Sequence, residues 1–227
     1  MMEHKTTFDQ ELSELKETIT RMGLMVQTLI TKAVDSLQKL DRRLAEAVVR
    51  EDDEIDRLEL IIDEKCVQLM ALRQPEASDL RFLATAIRIV NDLERMGDLA
   101  EDVAERTIEL ADKPLLKPLI DIPKMGDLAV QSVALVLDAF IMGNPSRANA
   151  IWVIEKEVDR LRDQVHDELM GIMTQDASTV TRAIPLLLVS RHLERIVDHS
   201  TNIAEEVVYM IEAKVIKHGG NEQNDKK

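Results

Sequence analysis

Apolar residues recur along most of the chain at alternating spacings of three and four. Near the N-terminus the series reads Leu12, Leu15, Ile19, Met22, Val26, Leu29, Ala33, Leu37 and Leu40. Because an α-helix repeats about every 3.6 residues, this spacing places the whole series on one face. The pattern therefore predicts a long amphipathic helix that packs against other helices in the manner of a coiled coil.

Breaks in the same pattern divide the rest of the chain into five further predicted helices. These helices lie at approximately residues 43–72, 77–110, 122–142, 146–173 and 178–215. Asp41 is the expected N-cap of the second helix. Gln74-Pro75 should end that helix. Gly143 should end the fourth helix, with Asn144 as the N-cap and Pro145 as the first residue of the fifth. The sequence thus predicts an all-α protein.

The second half of the chain repeats the first. At an offset of 103 residues, Met22-Gly23 matches Met125-Gly126, and Asp56-Arg57-Leu58 matches Asp159-Arg160-Leu161. At an offset of 100, Leu93-Glu94-Arg95 matches Leu193-Glu194-Arg195. We therefore predict two tandem homologous three-helix bundles. Residues 1–112 form the first repeat, 113–121 a linker, 122–217 the second repeat and 218–227 a disordered tail.

Composition and charge narrow the class of protein. Aromatic residues make up only 2% of the chain, so the core must be aliphatic, and the formal net charge is −14. Such a charge opposes binding to nucleic acid or to anionic lipid. No run approaches 18 apolar residues, and the single Cys66 excludes an internal disulfide. We expect a cytoplasmic protein that binds no nucleic acid and does not insert into the membrane.

Acidic pairs four residues apart occur at equivalent places on the last two helices of both repeats. The pairs are Asp52 and Asp56, Glu94 and Asp98, Glu155 and Asp159, Glu194 and Asp198. Like charges at this spacing oppose helix formation, so a bound cation is a direct explanation for them. Carboxylates alone favour hard ions such as Mg²⁺, Mn²⁺, Ca²⁺ or iron. We predict one metal site in each bundle, at its surface, because buried carboxylates carry a large desolvation cost.

Two alternatives remain open at this point. In a chain that is 32% charged, an acidic stripe is often only a solvated face, and the protein would then be a purely structural helical adaptor. A di-iron carboxylate enzyme is the other alternative, but such sites use Glu-x-x-His on two core helices, and this tetrapeptide is absent from the sequence. The chain also shows no glycine-rich phosphate loop and no recognisable pair of nucleophile and base. A non-enzymatic protein is favoured.

The chain resembles the PhoU family of bacterial phosphate-transport accessory and regulatory proteins. The resemblance rests on three stretches, which are residues 73–81, 93–98 and 192–205. It implies two three-helix bundles that bind multinuclear clusters of iron, or of Mg or Mn, through the eight paired carboxylates. It also implies a regulator that acts between the ATPase subunit of the phosphate ABC transporter and the phosphate-sensing histidine kinase, and that restrains phosphate-starvation signalling. We further expect a homodimer.

Overall fold

The structure is a computed structural model that describes the backbone of residues 2–215 and the side chains of residues 7–215. Six α-helices account for most of this part of the chain, and no strand occurs within it. The helices, named α1 to α6 in chain order, span Met2–Lys39, Arg42–Arg73, Ala77–Leu110, Asp121–Met142, Ile151–Gln175 and Val180–Glu212. The all-α prediction is confirmed, and so is the layout of two three-helix bundles.

The helix ends follow the predicted local chemistry at most places. The Asp41 side chain accepts hydrogen bonds from the first backbone N–H groups of α2, and Gln74 ends α2 in the left-handed region with φ 47°. Gly143 ends α4 with φ 58°. Asn144 accepts from a backbone N–H as predicted, but it caps a short 3-10 helix, Pro145–Ala148, that precedes α5.

Two predicted boundaries are wrong by three residues or more. For the first helix no start was predicted, and it begins at Met2, ten residues before the first residue of the apolar series. The fifth helix begins at Ile151, because the 3-10 turn occupies the residues after Asn144. The sixth ends at Glu212, three residues earlier than predicted, where Ala213 takes a left-handed conformation with φ 54°. The predicted tail 218–227 and the end of the second repeat at residue 217 lie outside the described residues.

The two bundles pack side by side. Helices α1, α2 and α3 form the first bundle, and α4, α5 and α6 form the second. Contacts between α1 and α4 and between α3 and α6 join the bundles, so α2 and α5 lie on opposite outer flanks. The buried apolar residues form one continuous cluster through both bundles. Phe82 of α3 stacks on the fully buried Phe140 of α4, with ring centroids 6.0 Å apart.

Equivalent residues of the two halves contact each other reciprocally. A Cβ atom at Gly23 of α1 would lie 2.5 Å from the Leu137 side chain of α4. A Cβ atom at Gly126 of α4 would lie 2.7 Å from the Val34 side chain of α1. The offset of 103 relates Gly23 to Gly126 and also Val34 to Leu137. The bundles are therefore related by a pseudo-twofold axis, and each glycine admits a branched side chain of the other half.

Helix α4 is the one described helix that is long and apolar enough to cross a membrane by length and composition, with a mean hydropathy of 1.6 over its best window. In this fold its apolar side is part of the core. Gly126 packs against α1, and the buried Ser132 hydroxyl shares a 2.8 Å hydrogen bond with Ser200 of α6. The apolar character of α4 is accounted for by its contacts with α1, α5 and α6.

Candidate metal centre

Carboxylates of α2 and α3 converge in the first bundle. Asp52 and Asp56 lie one turn apart on α2, and Glu94 and Asp98 lie one turn apart on α3. Asp52, Asp56 and Asp98 each offer one oxygen, and these three oxygens lie within 4.8 Å of one another. Among the described residues this is the one group of three or more candidate ligands that meets that distance. We name Asp52, Asp56, Glu94 and Asp98 the first carboxylate cluster.

Gly97 makes room for the innermost carboxylate of this cluster. A Cβ atom at Gly97 would lie 2.5 Å from the Asp52 Oδ1 atom and 3.3 Å from the Ile55 side chain. Because glycine has no side chain, α2 and α3 approach closely here and the Asp52 carboxylate enters the gap. Asp52 is only 3% exposed, and its Oδ1 has no hydrogen-bond partner.

The surroundings of Asp52 and Glu94 disfavour the charged form of both carboxyl groups. Burial, followed by the charges of Asp56, Glu101 and Asp98, raises the pKa of Asp52 to about 7. Burial, followed by the charge of Asp98, raises the pKa of Glu94 to about 7. A cation in the cluster would neutralise the carboxylates and reverse both effects.

One cation of the protein already lies at the rim. Arg95 pairs with Asp98 through Nη1 at 2.8 Å and lies 3.4 Å from Glu94 Oε2 through Nε. The Arg95 side chain is half-exposed, so its attraction is screened by solvent. Its contact with Glu94 is an ion pair without a hydrogen bond, and Glu94 Oε2 is buried without a hydrogen-bond partner. Arg95 therefore covers one side of the first cluster without satisfying the buried oxygens.

The second bundle places its four predicted ligands at equivalent positions but neutralises them differently. Arg162 of α5 donates a short hydrogen bond to Glu194 Oε1 and a 3.2 Å hydrogen bond to Asp159 Oδ1. Arg191 lies 3.5 Å from the other Glu194 oxygen. Glu194 is 8% exposed, so the Arg162 guanidinium supplies the counter-charge that its burial requires. Glu155, Asp159, Glu194 and Asp198 are named the second carboxylate cluster.

Glu155 and Asp198 keep the electrostatic signature of a charged cluster. Burial, followed by the charges of Asp159 and Asp198, raises the pKa of Glu155. Burial, followed by the charges of Glu194 and Asp159, raises the pKa of Asp198. The position of Gly97 is taken by the buried Val197, and the position of Asp52 by the longer Glu155, which is only half-buried. The second cluster is therefore less enclosed than the first.

The prediction of surface placement is correct for part of the set and wrong for the rest. Asp56 and Asp198 are exposed, but Asp52 and Glu194 are buried. The burial of each of these two carboxylates has a different physical cause. Gly97 opens a gap for Asp52, and Arg162 provides an ion pair for Glu194.

The first carboxylate cluster fits a hard divalent or trivalent cation. All its donors are carboxylate oxygens from two adjacent helices, and such oxygens suit Mg²⁺, Mn²⁺, Ca²⁺ or iron. The unpartnered Asp52 Oδ1 is the decisive detail, because a buried carboxylate oxygen needs a hydrogen-bond donor or a cation. The structure brings the predicted residues together, and metal binding by them stays a prediction.

Three residues that shape the clusters were not among the predicted ligands. Glu101 is half-buried on α3, and its charge helps to raise the pKa of Asp52; its place on the acidic stripe was a usable signal. Arg162 stands where the offset of 103 places Glu59, so aligning the halves could have revealed the exchange of charge. The role of Gly97 depends on the approach of two helices, which no pattern within one helix reveals.

The sequence and fold match known proteins along nearly the whole chain. Residues 19–107 and 122–207 match the family described as PhoU domain. The chain is 42% identical over 209 residues to the phosphate-specific transport system accessory protein PhoU homolog of Aquifex aeolicus, covering 92% of this chain and 95% of that protein. The corresponding homolog of Clostridium acetobutylicum is 34% identical over 210 residues, covering 92% and 96%.

Two solved structures have the same fold. The crystal structure of PhoU from Pseudomonas aeruginosa superposes with a TM-score of 0.87 at 35% identity, covering 91% of this chain and 100% of that one. The phosphate transport system regulatory protein PhoU from Streptococcus pneumoniae gives a TM-score of 0.86 at 29% identity, covering 93% and 100%. Since both repeats match and the whole fold superposes, this chain belongs to the PhoU family.

Proposed function

We propose that this protein is a non-enzymatic, metal-binding regulator of phosphate uptake and phosphate-starvation signalling in the cytoplasm. The role in phosphate transport is supported by relatives that match over nine-tenths of the chain and are named accessory proteins of the phosphate-specific transport system. The partners we propose are the ATPase subunit of the phosphate ABC transporter and the phosphate-sensing histidine kinase. The active form is proposed to be a homodimer.

The observation that carries the metal part of the proposal is the buried Asp52 carboxylate, whose Oδ1 has no hydrogen-bond partner and which has an oxygen within 4.8 Å of oxygens of Asp56 and Asp98. Asp52, Asp56, Glu94 and Asp98 hold one cluster of iron, Mg or Mn, and Glu155, Asp159, Glu194 and Asp198 hold the other. The metal supplies positive charge that neutralises the facing carboxylates. The chain supplies two helices per site that the bound ions tie together.

Metal content and affinity of purified variants test this part. Asp52→Asn and Asp98→Asn in the first cluster should remove metal from that cluster and leave the second occupied. Asp53→Asn, an exposed change on the same helix, is the matched control. Equal metal content in all variants and in the unchanged protein would rule out the first carboxylate cluster as a site.

Expression of phosphate-starvation genes tests the regulatory part. A strain that lacks the protein should express these genes in phosphate-rich medium, and the intact gene should restore repression. Pull-down of the purified ATPase subunit and of the cytosolic part of the kinase separates the two proposed partners. Normal repression in the deletion strain would reject the regulatory proposal whatever the metal content.

A further inference from the structure

An open crevice follows the outer side of the first bundle between α1 and α2. It contains two hollows, of about 330 Å³ and about 590 Å³. The smaller hollow lies between Glu14–Thr18 of α1 and Ile61–Gln68 of α2, and the larger lies between Arg21–Leu29 and Arg50–Ile55. Because α1 and α2 are antiparallel, the two hollows follow one another along this crevice. We name it the α1–α2 groove.

The larger hollow has an apolar floor and an exposed apolar rim. Leu29 and Ile55 are buried at its base, with 2% and 1% exposure. Met25 is half-buried on its wall, and Leu24 on its rim is 55% exposed. Ile61, which is 50% exposed, continues the apolar surface into the smaller hollow. A single exposed leucine is common, but a concave apolar floor with exposed rim residues is typical of a binding surface.

Two arginines on opposite sides of this hollow have free charges. Arg21 of α1 and Arg50 of α2 are exposed, and neither makes an ion pair or hydrogen bond within the described part of the chain. The acidic residues on the same rim are already neutralised. Glu51 pairs with Lys32 at 2.6 Å, and Glu54 pairs with Arg57 at 2.5 Å. The hollow is therefore locally positive in a chain of net charge −14.

The arginine pair is not required by the fold. In the second half the offset of 103 places Lys124 and Val153 at the positions of Arg21 and Arg50. Lys124 lies 3.5 Å from Asp121, so its charge is partly satisfied. The second bundle has the same architecture without two free cations beside an apolar hollow. The pair thus belongs to the surface chemistry of the first half alone.

We propose that the α1–α2 groove binds an amphipathic α-helix of a partner protein. Leucine-like side chains of that helix enter the apolar hollow, and Asp or Glu side chains on its flanks pair with Arg21 and Arg50. The acidic flanks lie over the larger hollow, which extends from Arg21 to Leu29 along α1, about 12 Å at about 1.5 Å per residue, or about two turns of a helix. The smaller hollow is lined by Glu14, Glu64 and Lys65 and accommodates only apolar side chains of the next turns. The inference rests on the proposed regulatory function and names a surface through which it acts.

Two other occupants fit the charges less well. An anionic lipid surface would be repelled by the net charge of −14, which two arginines do not outweigh. A second copy that met this groove with its own groove would bring the Arg21 and Arg50 charges of both copies together. An isologous contact repeats the same patch on both sides, so it cannot supply the missing negative charge.

Binding of a designed peptide tests the proposal. The probe is a capped helical peptide of 16 residues with leucine on one face and glutamate on both flanks, and its twin carries lysine in place of each glutamate. Fluorescence anisotropy measures affinity, and the ¹³C-methyl signal of Met25 in methionine-labelled protein reports the place of binding. The acidic peptide should bind and shift the Met25 signal, and the lysine twin should not.

Matched variants separate specific pairing from general charge. Arg21→Gln/Arg50→Gln should weaken the acidic peptide about tenfold, as expected for two ion pairs beside an apolar contact. Arg43→Gln/Lys124→Gln makes the same change of net charge on exposed positions elsewhere and should leave affinity unchanged. Leu24→Ser should also weaken binding, whereas Val153→Ser, an apolar change at a more exposed position on α5, should not.

Several results would overturn the proposal. These are no binding of the acidic peptide, equal binding of the lysine twin, or unchanged affinity in Arg21→Gln/Arg50→Gln. Arginine-dependent binding to phosphatidylglycerol vesicles would assign the groove to a membrane. Loss of a dimer in this variant, measured by sedimentation, would assign the groove to a second copy.

Failure of this proposal is distinct from failure of the proposed function. If the deletion strain represses phosphate-starvation genes normally but the peptide binds as described, only the regulatory role is rejected. If regulation is lost in the deletion strain but Arg21→Gln/Arg50→Gln binds peptide and represses normally, only the groove is rejected.

Discussion

Replacing Asp52 by asparagine should make the metal-free protein more stable at pH 8. Asparagine keeps the shape of the side chain but removes the charge that faces Asp56 and Asp98 across α2 and α3. The amide carries no net charge, whereas the Asp52 carboxylate has an oxygen within 4.8 Å of oxygens of both Asp56 and Asp98. The substitution thus removes a repulsion between like charges, and it removes a ligand at the same time.

The sign of the pH effect follows from proton binding. The pKa of Asp52 is raised from 3.8 in the unfolded chain to about 7 in the folded protein. Between these values the folded state binds more protons, so stability falls as pH rises from about 4 to about 7. At about 1.4 kcal/mol for each tenfold change in proton affinity, the full difference corresponds to about 4 kcal/mol, an upper value because Glu94 shares the repulsion.

Urea unfolding of chelator-treated protein between pH 4.5 and pH 8.5 measures this effect. The unchanged protein should lose stability over this range, and Asp52→Asn should lose much less. Asp53→Asn removes the same charge from an exposed neighbouring position and serves as the control. Added Mn²⁺ at 100 times its Kd should stabilise the unchanged protein by about 2.7 kcal/mol, and Asp52→Asn by less.

Two outcomes would refute the reasoning. If the stability of the metal-free protein rises with pH over this range, the carboxylates are not held together against their charge. If Asp52→Asn and Asp53→Asn give the same pH profile, the burial of Asp52 beside Gly97 has no energetic consequence.

Three further substitutions, with Gly171→Ala as a comparison, test single contacts by thermal or urea unfolding. Gly97→Ala should destabilise the protein by roughly 1–3 kcal/mol, since the new Cβ overlaps the buried carboxylate beside it, whereas Gly171→Ala, with nothing within 4 Å, should stabilise by about 0.5–1 kcal/mol. If Gly171→Ala destabilised the protein more than Gly97→Ala, the close packing at Gly97 would be contradicted. Arg162→Gln should cost about 3 kcal/mol at neutral pH, because Glu194 then loses its main counter-charge; a change below about 0.5 kcal/mol would argue against this ion pair. Asp41→Ala should cost about 1 kcal/mol through loss of the α2 cap, and an unchanged midpoint would disprove that role.

Local patterns in the sequence contain most of the information about the helices. Apolar spacing identified all six, and the capping residues Asp41 and Gly143 fixed two ends. The pattern failed at Asn144, where the side chain caps a 3-10 turn instead of α5. A cap motif has the same chemistry at the start of either kind of helix, so the sequence alone could not distinguish them.

The carboxylate clusters show where pattern reasoning stops. The spacing of Asp52 and Asp56 predicted a shared face, and the structure places both opposite Asp98. Burial of Asp52 depends on the close approach of α2 and α3 at Gly97. These two helices are separated in sequence by a turn. Neutralisation by Arg162 is likewise a contact between helices. Both features belong to tertiary packing, which the periodicity of one helix does not encode.

The reciprocal contacts of Gly23 with Leu137 and of Gly126 with Val34 indicate how the duplicated chain could have arisen from a symmetric dimer. A single ancestral three-helix chain with glycine at the one position and a branched residue at the other would already contain both sides of this interface, and it would assemble as a symmetric pair. Fusion of two copies replaces that association by an intramolecular contact at high effective concentration. After fusion the two halves no longer need to have the same sequence, and each can acquire its own side chains. In this chain the close approach at Gly97 and the free arginine pair remain in one half, whereas the other carries Val197 and an internal counter-ion.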